Sequence, residues 1–168
     1  ETLEVVATIA VQRERVTGVD FSADGRRLAS ADERGEAGIW DVDARRRIAS
    51  IPRPCFEIRF SPVGHVAALS TEKNVVELWD VDGPRLLRTL AGHGARVTEL
   101  MFDGEGRRLV SASADATVRV WDVESGRGIA VLRGRDQPIL CADLDPGGRC
   151  ITGHQDGTLT LWDLATGE

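Results

Sequence analysis

The 168-residue chain contains no tyrosine, one asparagine (Asn74) and one lysine (Lys73); its other 20 basic residues are arginine. Its three cysteines, Cys55, Cys141 and Cys150, are far apart and form no CxxC pair. An odd and scattered set argues against a disulfide scaffold or a zinc site. It favours three small buried thiols in a reducing cytoplasm. No stretch approaches the roughly 18 apolar residues of a membrane helix. The opening ETLEVVATIAVQRER lacks the basic start and apolar run of a secretory signal. Positive charge is also short: 21 Lys+Arg against 27 Asp+Glu leave a formal charge of −6, unlike the basic footprint of a dedicated nucleic-acid binder. The arginine bias itself reads as codon usage in a GC-rich, bacterial genome. HExxH, GxSxG and a phosphate-loop GxxxxGK are all missing. No metal, no cofactor and no enzymatic activity are therefore expected.

What is present is a repeat. All four tryptophans stand in Trp-Asp pairs, Trp40-Asp41, Trp79-Asp80, Trp121-Asp122 and Trp162-Asp163, at spacings of 39, 42 and 41 residues. Turn glycines keep step at Gly25, Gly64, Gly106 and Gly148, after FSADG, FSPVG, FDGEG and LDPGG. Each unit reads as short β-branched runs punctuated by Asp and Gly, which predicts strands. Val118 and Val120 face one way and Trp121 the other, so both sheet faces are apolar, as in a stack of sheets. The carboxylate pairs Asp41/Asp43, Asp80/Asp82 and Asp122/Glu124 follow the repeat and sit where turns begin; there Asp bonds local backbone N–H groups.

On these residues the chain resembles the WD-repeat (WD40) family, whose repeats each supply four strands of a propeller blade. The resemblance implies an all-β β-propeller domain over residues 1–168. Its four-stranded blades would span about 16–51, 55–90, 97–132, and 139–165 together with 2–9, the N-terminal strand completing a last blade. It also implies a buried tetrad of His, Ser or Thr, Asp and Trp. The third repeat has His93, Ser111, Asp115 and Trp121; the fourth has Thr152, Asp156 and Trp162 with Arg135 in place of His. The first offers Ser30 and Trp40, with Arg34 at the Asp position. The second keeps only Trp79, with Leu69 and Lys73 in the other slots, and is expected to be the loosest blade.

The resemblance further implies a protein-interaction scaffold. Its partner face would carry Arg13, Arg15, Arg53, Arg96 and Arg135, with Glu33, Glu72, Ala114, His154 and Gln155 from adjacent turns, and would suit an acidic peptide. The partner is thus a protein or peptide, with no nucleic acid and no membrane. Three closures stay open: an eight-bladed homodimer by strand exchange, which is favoured, a fragment of a longer regulatory protein, and a four-bladed monomer.

Overall fold

The computed structural model describes residues 4, 8–9, 15–32, 36–134 and 136–164. Every element among them is a strand, grouped into four antiparallel sheets. The first sheet holds β1 (Val16–Phe21), β2 (Arg27–Asp32), β3 (Ala37–Asp41) and β4 (Arg46–Ile51). The second holds β5 (Cys55–Phe60), β6 (Val66–Thr71), β7 (Val76–Asp80) and β8 (Arg85–Leu90). The third holds β9 (Val97–Phe102), β10 (Arg108–Ser113), β11 (Thr117–Asp122) and β12 (Gly128–Arg133). The fourth, among the described residues, has three strands: β13 (Ile139–Leu144), β14 (Arg149–His154) and β15 (Leu159–Asp163). Strands pair in chain order within each sheet. The expected all-β, four-bladed architecture is what the chain forms. The proposal that residues 2–9 complete the last blade falls mostly outside the described residues.

The turns follow from local chemistry. Gly25, Gly64, Gly106 and Gly148 all adopt positive φ, and Asp103 and Asp145 accept the N–H of Arg107 and Arg149 at 2.8 Å each. The Asp of each Trp-Asp pair enters the next turn. Asp41 accepts Ala44 N–H at 2.7 Å, Asp80 that of Asp82 at 3.1 Å and Asp122 that of Ser125 at 2.8 Å. Register shifts recur immediately before Trp40, Trp79 and Trp121 on the third strand of the first three sheets. Such bulges sharpen the twist of a sheet.

The sheets pack in chain order, first on second, second on third, third on fourth. Between the first two lie Ala31, Ile39 and Ile51 against Ile58, Phe60 and Trp79. The next interface sets Val76, Leu78 and Leu90 against Leu100, Leu109 and Trp121. The third sets Val118, Val120 and Leu132 against Ile139, Cys150 and Trp162. Each interface therefore joins the face of one sheet that lacks Trp to the Trp face of the next. Hydrogen bonds tie the innermost strands across these joints: Thr17 Oγ1 donates to Cys55 O and Thr98 Oγ1 to Ile139 O, both at 3.2 Å.

One expectation about the thiols needs correcting. Cys55 and Cys150 are buried, but Cys141 is exposed, because it lies at the margin of the uncovered side of the fourth sheet.

Candidate functional site

Trp79, Trp121 and Trp162 bury their rings between two sheets and Trp40 is buried as well, so each indole N–H must find an acceptor there. In the third sheet a complete relay does this. Trp121 Nε1 donates to Ser111 Oγ at 2.9 Å, and Ser111 Oγ is 2.8 Å from His93 Nε2. His93 Nδ1 stands 3.0 Å from Asp115 Oδ2, which also accepts Gly94 N–H at 2.7 Å. Thr117 Oγ1 adds a bond to Asp115 Oδ1 at 2.6 Å. Burial lowers the pKa of His93, outweighing the pull of Asp115. Burial works against charge on Asp115, but bonds from Thr117, Gly94 and His93 more than offset it and hold the carboxyl at about 2.

The fourth sheet solves the problem without the family's His position. Trp162 Nε1 donates to Thr152 Oγ1 at 2.9 Å, and His154 Nε2 lies 3.0 Å from that oxygen and 2.9 Å from Thr160 Oγ1. His154 is only 5% exposed. Its assignment to the partner face is thus corrected: residues 152 and 154 share one side of β14, the side that packs on the third sheet. Asp156 is exposed and accepts the N–H and hydroxyl of Thr158 at 3.0 and 2.6 Å, as Asp115 does those of Thr117.

The second sheet does not lack a network either. Trp79 Nε1 donates to Glu77 Oε2 at 2.8 Å, and Arg53 Nε lies 3.3 Å from the same oxygen. In the first sheet Trp40 Nε1 donates to Ser30 Oγ at 2.9 Å. The position two residues before each Trp decides which solution is used, and inspection of the repeat missed it. It holds Gly38, where an added Cβ would come 2.7 Å from the Trp40 nitrogen, then Glu77, Arg119 and Thr160. Strand alternation was the available signal: residues i and i+2 share a face. Arg119 sets its guanidinium over the Trp121 ring at 5.9 Å from the centroid, and its buried Nε has no hydrogen-bond partner among the described residues.

On the expected partner face, Arg15 and Glu72 are exposed, Ala114 is half-buried and Gln155 is exposed. Arg53 is half-exposed while paired to Glu77. Arg96 lies flat over Phe56, its guanidinium carbon 4.0 Å from the ring centroid. Arg13, Glu33, Arg34 and Arg135 lie outside the described residues. On the inner strands Arg59 bridges Glu57 and Glu99; burial nevertheless pushes Glu57 up to about 7 and raises Glu99. Among the described residues no group of three or more His, Cys, Asp or Glu is placed to hold a metal ion.

A family model described as "WD domain, G-beta repeat" matches residues 3–41, 84–122 and 126–163. The unmatched stretch 42–83 contains the repeat in which Glu77 replaces the usual acceptor. The chain is 30% identical over 169 residues to the nuclear distribution protein nudF of Aspergillus niger, covering 95% of this chain and 38% of that protein. It is 27% identical over 160 residues to the COMPASS component SWD3 of Saccharomyces cerevisiae, covering 91% and 50%. A mitochondrial division protein 1 of Mycosarcoma maydis is 45% identical over 76 residues, 45% of this chain and 9% of that one. The chain thus spans half or less of each of these relatives, all from fungi. Two solved structures, "Structure of U3-55K" and "Crystal structure of RRP9 WD40 repeats", superpose with a TM-score of 0.89 at 22% identity. Each covers 95% of this chain, which in turn covers 52% and 51% of theirs.

Proposed function

The chain belongs to the WD40-repeat family, and from that premise we propose that it is a non-catalytic, cytoplasmic interaction scaffold whose arginine-bearing face takes an acidic peptide. One observation carries the reading: Arg96 is held over Phe56 rather than left to swing in solvent. An aromatic ring beneath a guanidinium fixes its plane while its N–H groups stay available to a carboxylate. Arg15 and Arg53 stand on the connections before β1 and β5, as Arg96 does before β9, on a chain whose net charge is −6. The four indole N–H groups are each taken up by a side chain of their own sheet, which makes these networks a frame and leaves recognition to the loops. A second reading, a segment of a longer regulatory protein, is favoured by the share of each relative that the chain spans.

The test is titration of a fluorescent glutamate-rich peptide against the chain and Arg96→Ala. Charge-assisted bonds of this kind contribute about 1.5–3 kcal/mol, so a loss of about tenfold or more is expected, with further weakening by salt. Binding indifferent to both the substitution and salt would discard the proposal.

A further inference from the structure

The three internal joints repeat one rule, and the two ends of the arc each display half of it. On β1, Val16, Val19 and Phe21 are 40%, 56% and 60% exposed. Their counterparts at the same strand positions, Cys55, Ile58 and Phe60, are 1%, 0% and 9% exposed beneath the first sheet. On the fourth sheet, Ile151, Leu159 and Leu161 are 39%, 71% and 63% exposed. In the third sheet the matching residues Val110, Val118 and Val120 are at most 2% exposed, because Cys150 and Trp162 cover them. So the β1 side of the first sheet is uncovered, while Trp40 on the same sheet is 7% exposed, and the fourth sheet shows an uncovered face opposite its Trp. Contiguous apolar surface of this sort marks an interaction site.

Ile9 indicates what belongs there. It lines a cavity of about 340 Å³ with Phe21, Leu28, Trp40 and Val42. Its alignment partners at the ends of the outer strands are Ile51, Leu90 and Leu132, each of which packs on the following sheet. Ile9 thus stands where the last strand of a preceding blade stands, beside a first sheet that has no preceding blade among the described residues. The fourth sheet has three strands and an open outer edge at β15 among those residues. The missing neighbour of one end has the form of the other end.

We propose that two copies of this chain dock head to tail, the fourth sheet of each covering the Trp face of the first sheet of the other. The chain's own fourth sheet does not pack on the first: the joints run first on second, second on third and third on fourth. The arc covers about half of each solved relative, so a second arc has the span to reach from one end to the other. Each copy carries one face of each kind; two copies occupy all four faces, and the heterologous contact closes instead of propagating. This inference is independent of the arginine face.

Light scattering coupled to size exclusion tests it on the 168-residue chain. A mass of about 36 kDa is expected, twice the 18.2 kDa of one copy. Leu161→Arg and Phe21→Arg, both at exposed positions, each weaken association by about 30-fold or more and yield 18.2 kDa species with unchanged circular dichroism. Mixing the two variants restores one intact joint, and with it a heterodimer. A wild-type chain that stays monomeric at high micromolar concentration overturns the proposal. So do polymers that grow with concentration, or a mixture of variants that does not pair.

Discussion

Glu77 Oε2 accepts the indole N–H of Trp79 at 2.8 Å from two residues earlier on the same strand. Across the ladder, Leu69 sits opposite Glu77, at the place where the third sheet pairs Ser111 with Arg119. A hydroxyl acceptor on one strand has been exchanged for a carboxylate acceptor on its neighbour. The second blade is therefore differently wired, not unwired, and Arg53 balances the charge that the exchange introduces.

Replacing Glu77 with Ala leaves a buried indole N–H and an unpaired Arg53. Loss of about 1–3 kcal/mol is expected, the cost of orphaning a buried donor, read as a lower urea midpoint at unchanged slope. Glu77→Gln retains an acceptor and should lose less. Equal losses from the two variants would show that charge, not acceptance from Trp79, is what matters.

His154→Ala provides the parallel test in the fourth sheet. A loop residue on an open face would cost within about 0.5 kcal/mol. The buried link between Thr152 and Thr160 predicts a loss of about 1–3 kcal/mol. Thermal denaturation distinguishes the two.

Gly106→Ala should be destabilising on two counts. Its φ of +66° disfavours any side chain, and an added Cβ would come 2.5 Å from Ser61 Oγ and 2.6 Å from Val63 Cγ2 on the neighbouring blade. Gly64→Ala at φ +71° meets nothing within 4 Å, so it reports the backbone cost alone, about 1–2 kcal/mol. The excess at Gly106 measures contact between the second and third blades. No excess would mean that the turns are not packed as described.

Acid and alkali act on different groups. His93 and Asp115 both have lowered native pKa values, so each adds stability above its unfolded value that is lost on acidification. For His93 the loss sets in below about 6.5; for Asp115 it lies between about 3.8 and 2. Glu57 behaves oppositely. Its native value of about 7 lies above the ordinary 4.5, so the folded chain holds a proton that the unfolded chain has released, and stability falls as pH rises from 4.5 to 7. Glu57→Gln should therefore gain on wild type across that interval, by on the order of 2–3 kcal/mol at most. Denaturation at pH 4.5 and 7.5 checks it; a constant difference between the two chains would count against a protonated Glu57.

The repeat, its strands, its turns and the His93–Ser111–Asp115–Trp121 group were legible because each rests on local chemistry. Positive-φ turns call for glycine, turn entries for Asp, and a buried indole for a partner at a regular spacing. Glu77, His154 and Thr160 were not legible as network members. Any residue on the Trp side of a strand can supply the bond, and which one does depends on how closely the next sheet approaches.

By itself, then, the amino-acid order determined the number of blades, their strand boundaries and the side each tryptophan faces, through alternation and turn preference along the chain. Tertiary structure alone decided which polar atom satisfies each indole, that Arg96 rests on Phe56, that Cys141 is open to solvent, and that two apolar faces remain uncovered. Those outcomes depend on distances between segments far apart in the chain, and burial is a property of the neighbour as much as of the residue.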